Sequence, residues 1–136
     1  MFRRPSKTTN LRAQLGAALK AERLHEALDL YELMEKQKPA EPRWAHRRGD
    51  LLQRMGRKSD AVIAYERAVD LYAAQGFVAR AAAMAKLILA IDPSKADVLE
   101  RVDPQAARRL HRENRALIVT ADEPPSADTM RARFSR

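Results

Sequence analysis

The sequence predicts an all-α protein, both from its composition and from the spacing of its apolar residues. Aromatic residues make up only 5% of the 136 residues, and glycine occurs four times. Strands, by contrast, are rich in aromatic and β-branched residues. Apolar side chains recur three and four positions apart, as on the buried face of a helix. One such series is Leu24, Ala27, Leu28, Tyr31 and Met34. A chain of this length predicts a single domain with a modest core.

Residues that begin or end helices divide the periodic part of the chain into successive elements. Pro42 predicts the start of a helix, because proline is tolerated in the first turn and excluded from the interior. Gly56 predicts a helix end and Ser59 an N-cap. We expect a basic arm over 1–8 and a disordered tail or linker over 119–136. The predicted helices are 9–21, 24–37, 42–55, 60–74, 77–91, 95–102 and 104–118.

A shift of the sequence by 34 positions aligns one predicted helix pair with the next. Ala27 then falls on Ala61, and Tyr31 falls on Tyr65. Alanine at these places predicts that the two helices of each pair approach closely there. The residues of the second pair that carry the pattern are Trp44, Gly49, Leu52, Gly56, Ala61, Tyr65 and Ala68. We expect Trp44 and Phe77, which stand near helix starts, to pack in the core or between repeats.

Over residues 8–93 this pattern resembles the tetratricopeptide repeat (TPR) family, whose unit is a helix–turn–helix of 34 residues. One departure from the family pattern is Arg48, at a place that is usually leucine. The resemblance implies a TPR-like helical solenoid of antiparallel helix pairs, and the helix predicted over 104–118 would be its C-terminal capping helix. It also implies a protein–protein interaction module, an adaptor or scaffold, that binds its partner in a concave groove lined mainly by the first helix of each pair.

In this alignment the predicted groove is basic. Several of its residues recur at spacings that place them on one stripe of the helix, so their side chains converge. Guanidinium groups hold carboxylates through paired hydrogen bonds. We therefore expect a protein partner that offers an acidic segment or a free C-terminal carboxylate. The predicted partner-binding residues are Arg12, Lys20, Arg43, His46, Arg47, Asp50, Gln53 and Arg54.

A nucleic-acid-associated protein is the first alternative. The net charge is +8, and Asp103 and Pro104 predict the N-cap and first residue of an arginine-rich last helix. Residues 95–118 contain no aromatic side chain for stacking on bases, which single-strand binders use. The arginines that would contact phosphates are Arg101, Arg108, Arg112 and Arg115.

A self-assembling structural subunit is the second alternative. In it, apolar positions on the later helices would be buried against another copy of the chain. The residues predicted for this face are Leu87, Ile91, Val98 and Leu99.

The sequence offers little of what catalysis or cofactor binding requires. There is no cysteine, and whole helices separate the three histidines. The four glycines are isolated, so no phosphate-binding loop is present. We therefore expect no enzymatic activity, no metal and no cofactor. There is also no apolar run of about 18 residues that could span a membrane. We expect a cytoplasmic protein with no membrane partner.

Overall fold

The computed structural model describes the chain from Lys7 to Asp122, and within it the side chains of residues 10–113 and of Arg115. This part of the chain is all-helical, with seven α-helices, one short 3-10 turn and no strand. The helices are α1 (Lys7–Lys20), α2 (Leu24–Gln37), α3 (Pro42–Arg54), α4 (Lys58–Ala74), α5 (Val78–Ile91), α6 (Ala96–Val102) and α7 (Pro104–Asp122), and the 3-10 turn is Pro93–Lys95.

The predicted helices are confirmed, and most of their ends lie within two residues of the prediction. The two terminal predictions are tested only where they meet the described part. Lys7 already belongs to α1, and residues 1–6 lie outside the described part. Helix α7 continues to Asp122, four residues past its predicted end. The rest of the predicted tail, 123–136, also lies outside the described part.

Short polar side chains begin two of the helical elements. Asp103 caps α7, where its Oδ1 accepts the amide of Ala106 at 3.0 Å, as predicted. Asp92 begins the 3-10 turn in the same way, and its Oδ1 accepts the amide of Ser94 at 3.0 Å. A carboxylate at either place satisfies backbone amides that have no partner within the helix.

The sequence predicted Ser59 as the N-cap of α4, and this prediction is wrong. The helix begins at Lys58, and its N-cap residue is Arg57, which makes no side-chain capping bond. The turn at Gly56 leads directly into the helix, because the Arg57 carbonyl already accepts the amide of Ala61 at 3.0 Å. Ser59 therefore lies inside the first helical turn.

Three helix–helix turns have the same backbone geometry. In each, a residue in the left-handed conformation ends the helix, and the next amide bonds a carbonyl five residues earlier at 2.9 Å. This closure satisfies the last carbonyls and reverses the chain. The left-handed residues are Glu22 (φ +58°), Gly56 (φ +78°) and Gly76 (φ +81°). The amide-to-carbonyl pairs are Arg23 to Ala18, Arg57 to Leu52, and Phe77 to Tyr72.

Each helix packs against the next one along the chain, and the buried side chains form one continuous core. Ala27 and Ala61 are fully buried, as expected of small residues at a close helix–helix contact. Gly49 has a similar role in α3, where it faces the ring of Tyr65 from α4. The α3–α4 pair is thus held at close range by small residues on both helices.

Two residues predicted for self-association lie inside this core. Val98 and Leu99 on α6 are buried among the chain's own side chains. Leu87 and Ile91 are partly buried against the same core. Val98 and Leu99 pack here because α6 is an integral layer of the fold between α5 and α7. The four residues predicted for self-association therefore do not form an exposed face.

None of the helices between Lys7 and Asp122 combines the length and the apolar character that crossing a lipid bilayer requires.

Candidate functional site

The eight predicted binding residues lie on two helices. Arg12 and Lys20 belong to α1, and the other six belong to α3. His46 and Asp50 are half-buried, and the others are exposed. We call the surface formed by these eight residues the α1–α3 surface. At its start, α3 contacts α1 itself, and at its end it contacts the turn that follows α1.

At the start of α3, one tryptophan holds an arginine from each helix. Trp44 is only 7% exposed, and its ring packs against Tyr31 of α2 with the centroids 6.4 Å apart. The Cζ atoms of Arg12 and Arg43 lie 5.6 Å and 5.4 Å from the indole centroid. The ring quadrupole attracts both cations. Two exposed guanidinium groups from different helices are thereby fixed around one buried ring.

Trp44 was predicted as a packing residue, and it does pack in the core. Its role as a ring that both Arg12 and Arg43 contact was missed. Arg12 and Trp44 are 32 residues apart in the sequence, and nothing local indicates that they meet. The one available signal was the adjacency of Arg43 and Trp44 in the first turn of a helix.

A polar network occupies the middle of α3. The Tyr65 hydroxyl lies 2.6 Å from Asp50 Oδ1, to which it donates, and 3.0 Å from Gln53 Oε1. His46 Nε2 lies 3.5 Å from Asp50 Oδ2, and its Nδ1 lies 3.3 Å from the Tyr72 hydroxyl. The network joins α3 to α4. Asp50 and Gln53, both predicted to contact a partner, therefore also hold the fold together.

Burial controls the protonation of this network. Burial lowers the pKa of His46 below its ordinary value, and the nearby carboxylate of Asp50 opposes that shift in part. Burial also raises the pKa of Tyr65, and the hydrogen bond to Asp50 adds to the increase. The Tyr65 hydroxyl therefore remains a donor to Asp50 at physiological pH.

Two arginines of the α1–α3 surface have acidic neighbours. Arg54 lies 3.3 Å from Glu22, in the turn after α1, and Arg43 lies 3.6 Å from Glu41. Arg43, Arg54 and Glu22 are exposed to solvent and Glu41 is partly exposed, so each pair is weak and the arginine can exchange its partner for another anion. Among the described side chains, Arg12, Lys20 and Arg47 have no acidic partner within ion-pair distance. The surface thus carries positive charge that the described side chains do not neutralise.

The arginines predicted for phosphate contacts lie apart from this surface. Arg101 is on α6, where it pairs with Asp70 of α4 at 3.1 Å. Arg108 and Arg112 are exposed on α7 and line a groove of about 620 Å³ between α6 and α7, together with Glu100 and His111. Arg115, also on α7, is exposed as well. The four arginines therefore do not form a single row.

The structure also shows an ion pair that the sequence analysis did not predict. Arg48 Nε donates to both carboxylate oxygens of Glu35 on α2, at 3.1 Å and 3.2 Å. Both side chains are mostly buried. The family pattern has an apolar residue at this position, where the chain has Arg48. The charge of Arg48 is neutralised by Glu35.

No group of three or more histidine, aspartate or glutamate side chains within the described residues could hold a metal ion.

Comparison of the sequence with models of known protein families, and with curated proteins, finds no match.

Proposed function

We propose that this protein is a TPR-like interaction module that binds an acidic or carboxylate-terminated segment of a partner protein on the α1–α3 surface. The observation that carries the proposal is the placement of Arg12 and Arg43 around Trp44. Because the ring holds both guanidinium groups in advance, binding an anion there costs less side-chain entropy than ordering two free arginines.

The packing supports the TPR-like part of the proposal. Each helix contacts the next along the chain, and fully buried alanines stand at Ala27 and Ala61, 34 positions apart. The left-handed turn residues Glu22 and Gly56 are also 34 positions apart. Two successive units thus share packing sites and turn geometry. In a solenoid built from such units, the first helices α1 and α3 would line one concave face.

The charges support an acidic ligand. Arg47 lies one helical turn after Arg43, so both side chains project from the same side of α3. A carboxylate accepts paired hydrogen bonds from a guanidinium group, and such charge-assisted bonds are stronger than neutral ones. Asp50, the acidic residue among the eight, already accepts from Tyr65, and the carboxylates of Glu41 and Glu22 belong to weak pairs with Arg43 and Arg54. The open hydrogen-bonding capacity of the surface therefore consists mainly of donors.

Trp44 provides the assay, because it is the only tryptophan in the chain. We would follow its emission during titration with a peptide of five Ser-Glu repeats, once with a free C-terminus and once amidated. We expect saturable binding to the wild type. The Arg43→Glu/Arg47→Glu variant should bind about tenfold more weakly or worse, since each lost charged hydrogen bond costs roughly 1.5 kcal/mol or more.

The matched control is Arg108→Glu/Arg112→Glu, which changes the net charge equally but lies on α7. It should bind within about twofold of the wild type. Circular dichroism would establish that both variants are folded, and Arg12→Gln tests the surface without charge reversal. Equal binding by the wild type and the Arg43/Arg47 variant would refute the proposed site. Loss of binding on amidation would identify the C-terminal carboxylate as the group recognised.

Nucleic-acid binding on α7 is the second candidate. It is supported by the exposed side chains of Arg108, Arg112 and Arg115, none of which has an acidic partner within ion-pair distance in the described part of the chain. The same variant pair distinguishes it. This function would be favoured if an oligonucleotide binds the wild type with a steep salt dependence and this binding is lost in Arg108→Glu/Arg112→Glu.

A further inference from the structure

Arginine–aromatic contacts concentrate along one edge of the molecule. In the part of the chain that the structure describes, they occur at Trp44, in the first turn of α3, and at Phe77, which immediately precedes α5. At the second place the Cζ of Arg80 lies 5.2 Å from the ring centroid of Phe77. Each ring thus carries at least one cation.

Phe77 differs from Trp44 in its exposure. Its side chain is 47% exposed and that of Val78 is 50% exposed, so the two form a small apolar patch at the α4–α5 turn. The patch was not predicted, since Phe77 was expected to pack in the core or between repeats. Instead the ring is about half exposed, and it makes a perpendicular contact with the ring of Tyr72 at a centroid distance of 6.4 Å. The Phe77 patch, as we name the surface of Phe77, Val78 and Arg80, remains open to a ligand.

Two contacts place the Phe77 patch beside the α1–α3 surface. Tyr72 packs against Phe77 on one side and against His46 on the other, with the His46 and Tyr72 centroids 6.2 Å apart. Gln75, in the turn before Phe77, donates to the carbonyl of Ala40, two residues before α3 begins. The start of α5 is thereby held next to the start of α3.

We propose that the Phe77 patch is a second subsite of the binding surface, which takes an apolar side chain from the bound acidic segment. This inference rests on the proposed function. The charge near the patch selects the occupant: Arg80 lies over the exposed ring, and Arg43 and Arg47 lie on α3, whose start is connected to the patch by the contact between Gln75 and Ala40. An apolar residue flanked by acidic residues would cover Phe77 and Val78 while its carboxylates face these cations.

The test compares two peptides on four proteins. The first probe is the Ser-Glu peptide described above, and the second replaces its central serine with phenylalanine. The proteins are the wild type, Phe77→Ser, the charge-reversed Arg43→Glu/Arg47→Glu, and Ile63→Ser. Ile63 is a matched control, because it is 62% exposed and lies on α4, where it lines a different groove together with Val62 and Ile91. Binding is measured by isothermal titration calorimetry, and folding is measured by circular dichroism.

We expect the phenylalanine peptide to bind the wild type about tenfold more tightly, which corresponds to partial burial of one aromatic side chain. In Phe77→Ser this preference should fall to about twofold or less, while Ile63→Ser should keep it. Loss of the preference in Phe77→Ser alone would support the subsite.

Three results would overturn the inference. If both peptides bind the wild type equally and lose affinity in Arg43→Glu/Arg47→Glu, the subsite is refuted and the proposed function stands. If the preference survives in Phe77→Ser, the apolar residue binds elsewhere. If neither peptide binds the wild type, both the function and the subsite are refuted.

Discussion

The ring of Tyr65 lies directly against the backbone of Gly49. A Cβ atom added to this glycine would fall 2.6 Å from both Cδ1 and Cε1 of the ring. The ring has no room to retreat, because Tyr65 is fully buried and its hydroxyl is bound to Asp50 at 2.6 Å. The absence of a side chain at Gly49 therefore sets how closely α4 approaches α3.

The substitution Gly49→Ala should lower the free energy of unfolding by about 1 kcal/mol. Overpacking a buried contact typically costs about 1–3 kcal/mol, which outweighs the roughly 1 kcal/mol by which alanine favours a helix over glycine. Urea denaturation followed by circular dichroism at 222 nm measures the difference. A stability equal to that of the wild type would show that α3 and α4 separate easily.

Gly16→Ala is the matched control. Gly16 lies within α1 and is exposed, and an added Cβ would have no atom within 4 Å. The same substitution should therefore raise the free energy of unfolding here, by up to about 1 kcal/mol, from helix propensity alone. Opposite signs at the two glycines would separate the packing effect from the backbone effect.

The repeated turns predict a second pair of opposite effects. Glu22 occupies the left-handed position that glycine occupies in the corresponding turn at Gly56. Glu22→Gly should therefore stabilise the protein by about 0.5–1 kcal/mol. Losing the exposed pair with Arg54 should cost less than that. Gly56→Ala should destabilise by about 1 kcal/mol. Thermal melts measure both, and stabilisation by Gly56→Ala would contradict the shared turn geometry.

The local part of this fold could be predicted from the sequence. Helix spans follow from the spacing of apolar residues, and the turn at Gly56 follows from the conformational freedom of glycine. The buried sites Ala27 and Ala61 could be predicted because a shift of 34 positions superimposes them. Each of these signals either depends on residues close together in the sequence or recurs at a fixed interval along it. It can therefore be detected without knowledge of the tertiary structure.

The contacts that build the candidate site are not of this kind. Arg12 reaches Trp44, and Tyr72 reaches His46, only because the packing of helices brings together residues that are 32 and 26 positions apart in the sequence. The exposure of a side chain is equally difficult to predict from sequence. Phenylalanine usually packs in a core, yet Phe77 lies at the turn before α5 and is about half exposed. Charge patterning indicated the α1–α3 surface, but it could not show which arginines an aromatic ring holds in place.

The ion pair between Arg48 and Glu35 predicts a double-mutant result. Their side chains are only 16% and 13% exposed, and each charge satisfies the other. Arg48→Leu alone should cost about 1–3 kcal/mol, because it leaves the Glu35 carboxylate partly buried without its partner. Adding Glu35→Leu should recover most of the loss, since well-packed apolar residues often replace buried ion pairs without penalty.

Urea denaturation of the wild type, both single variants and the double variant gives the coupling energy between Arg48 and Glu35. Additive losses in the double variant would mean that each side chain stabilises the fold independently. The α2–α3 contact would then depend on their aliphatic parts rather than on the ion pair.

His46 predicts how stability varies with pH. Because burial lowers its pKa in the folded protein, the unfolded chain, with an ordinary histidine pKa of 6.5, binds protons more readily in the range just below that value. The free energy of unfolding should therefore decrease as the pH falls from 7.5 to 5.5. His46→Gln should remove this contribution while keeping a side chain that can bond Tyr72 and Asp50. Urea titrations at pH 5.5, 6.5 and 7.5 measure how the free energy of unfolding of each protein changes with pH, and the two proteins differ only at position 46. Equal slopes in the two proteins would show that the Asp50 carboxylate fully offsets the burial of the imidazole.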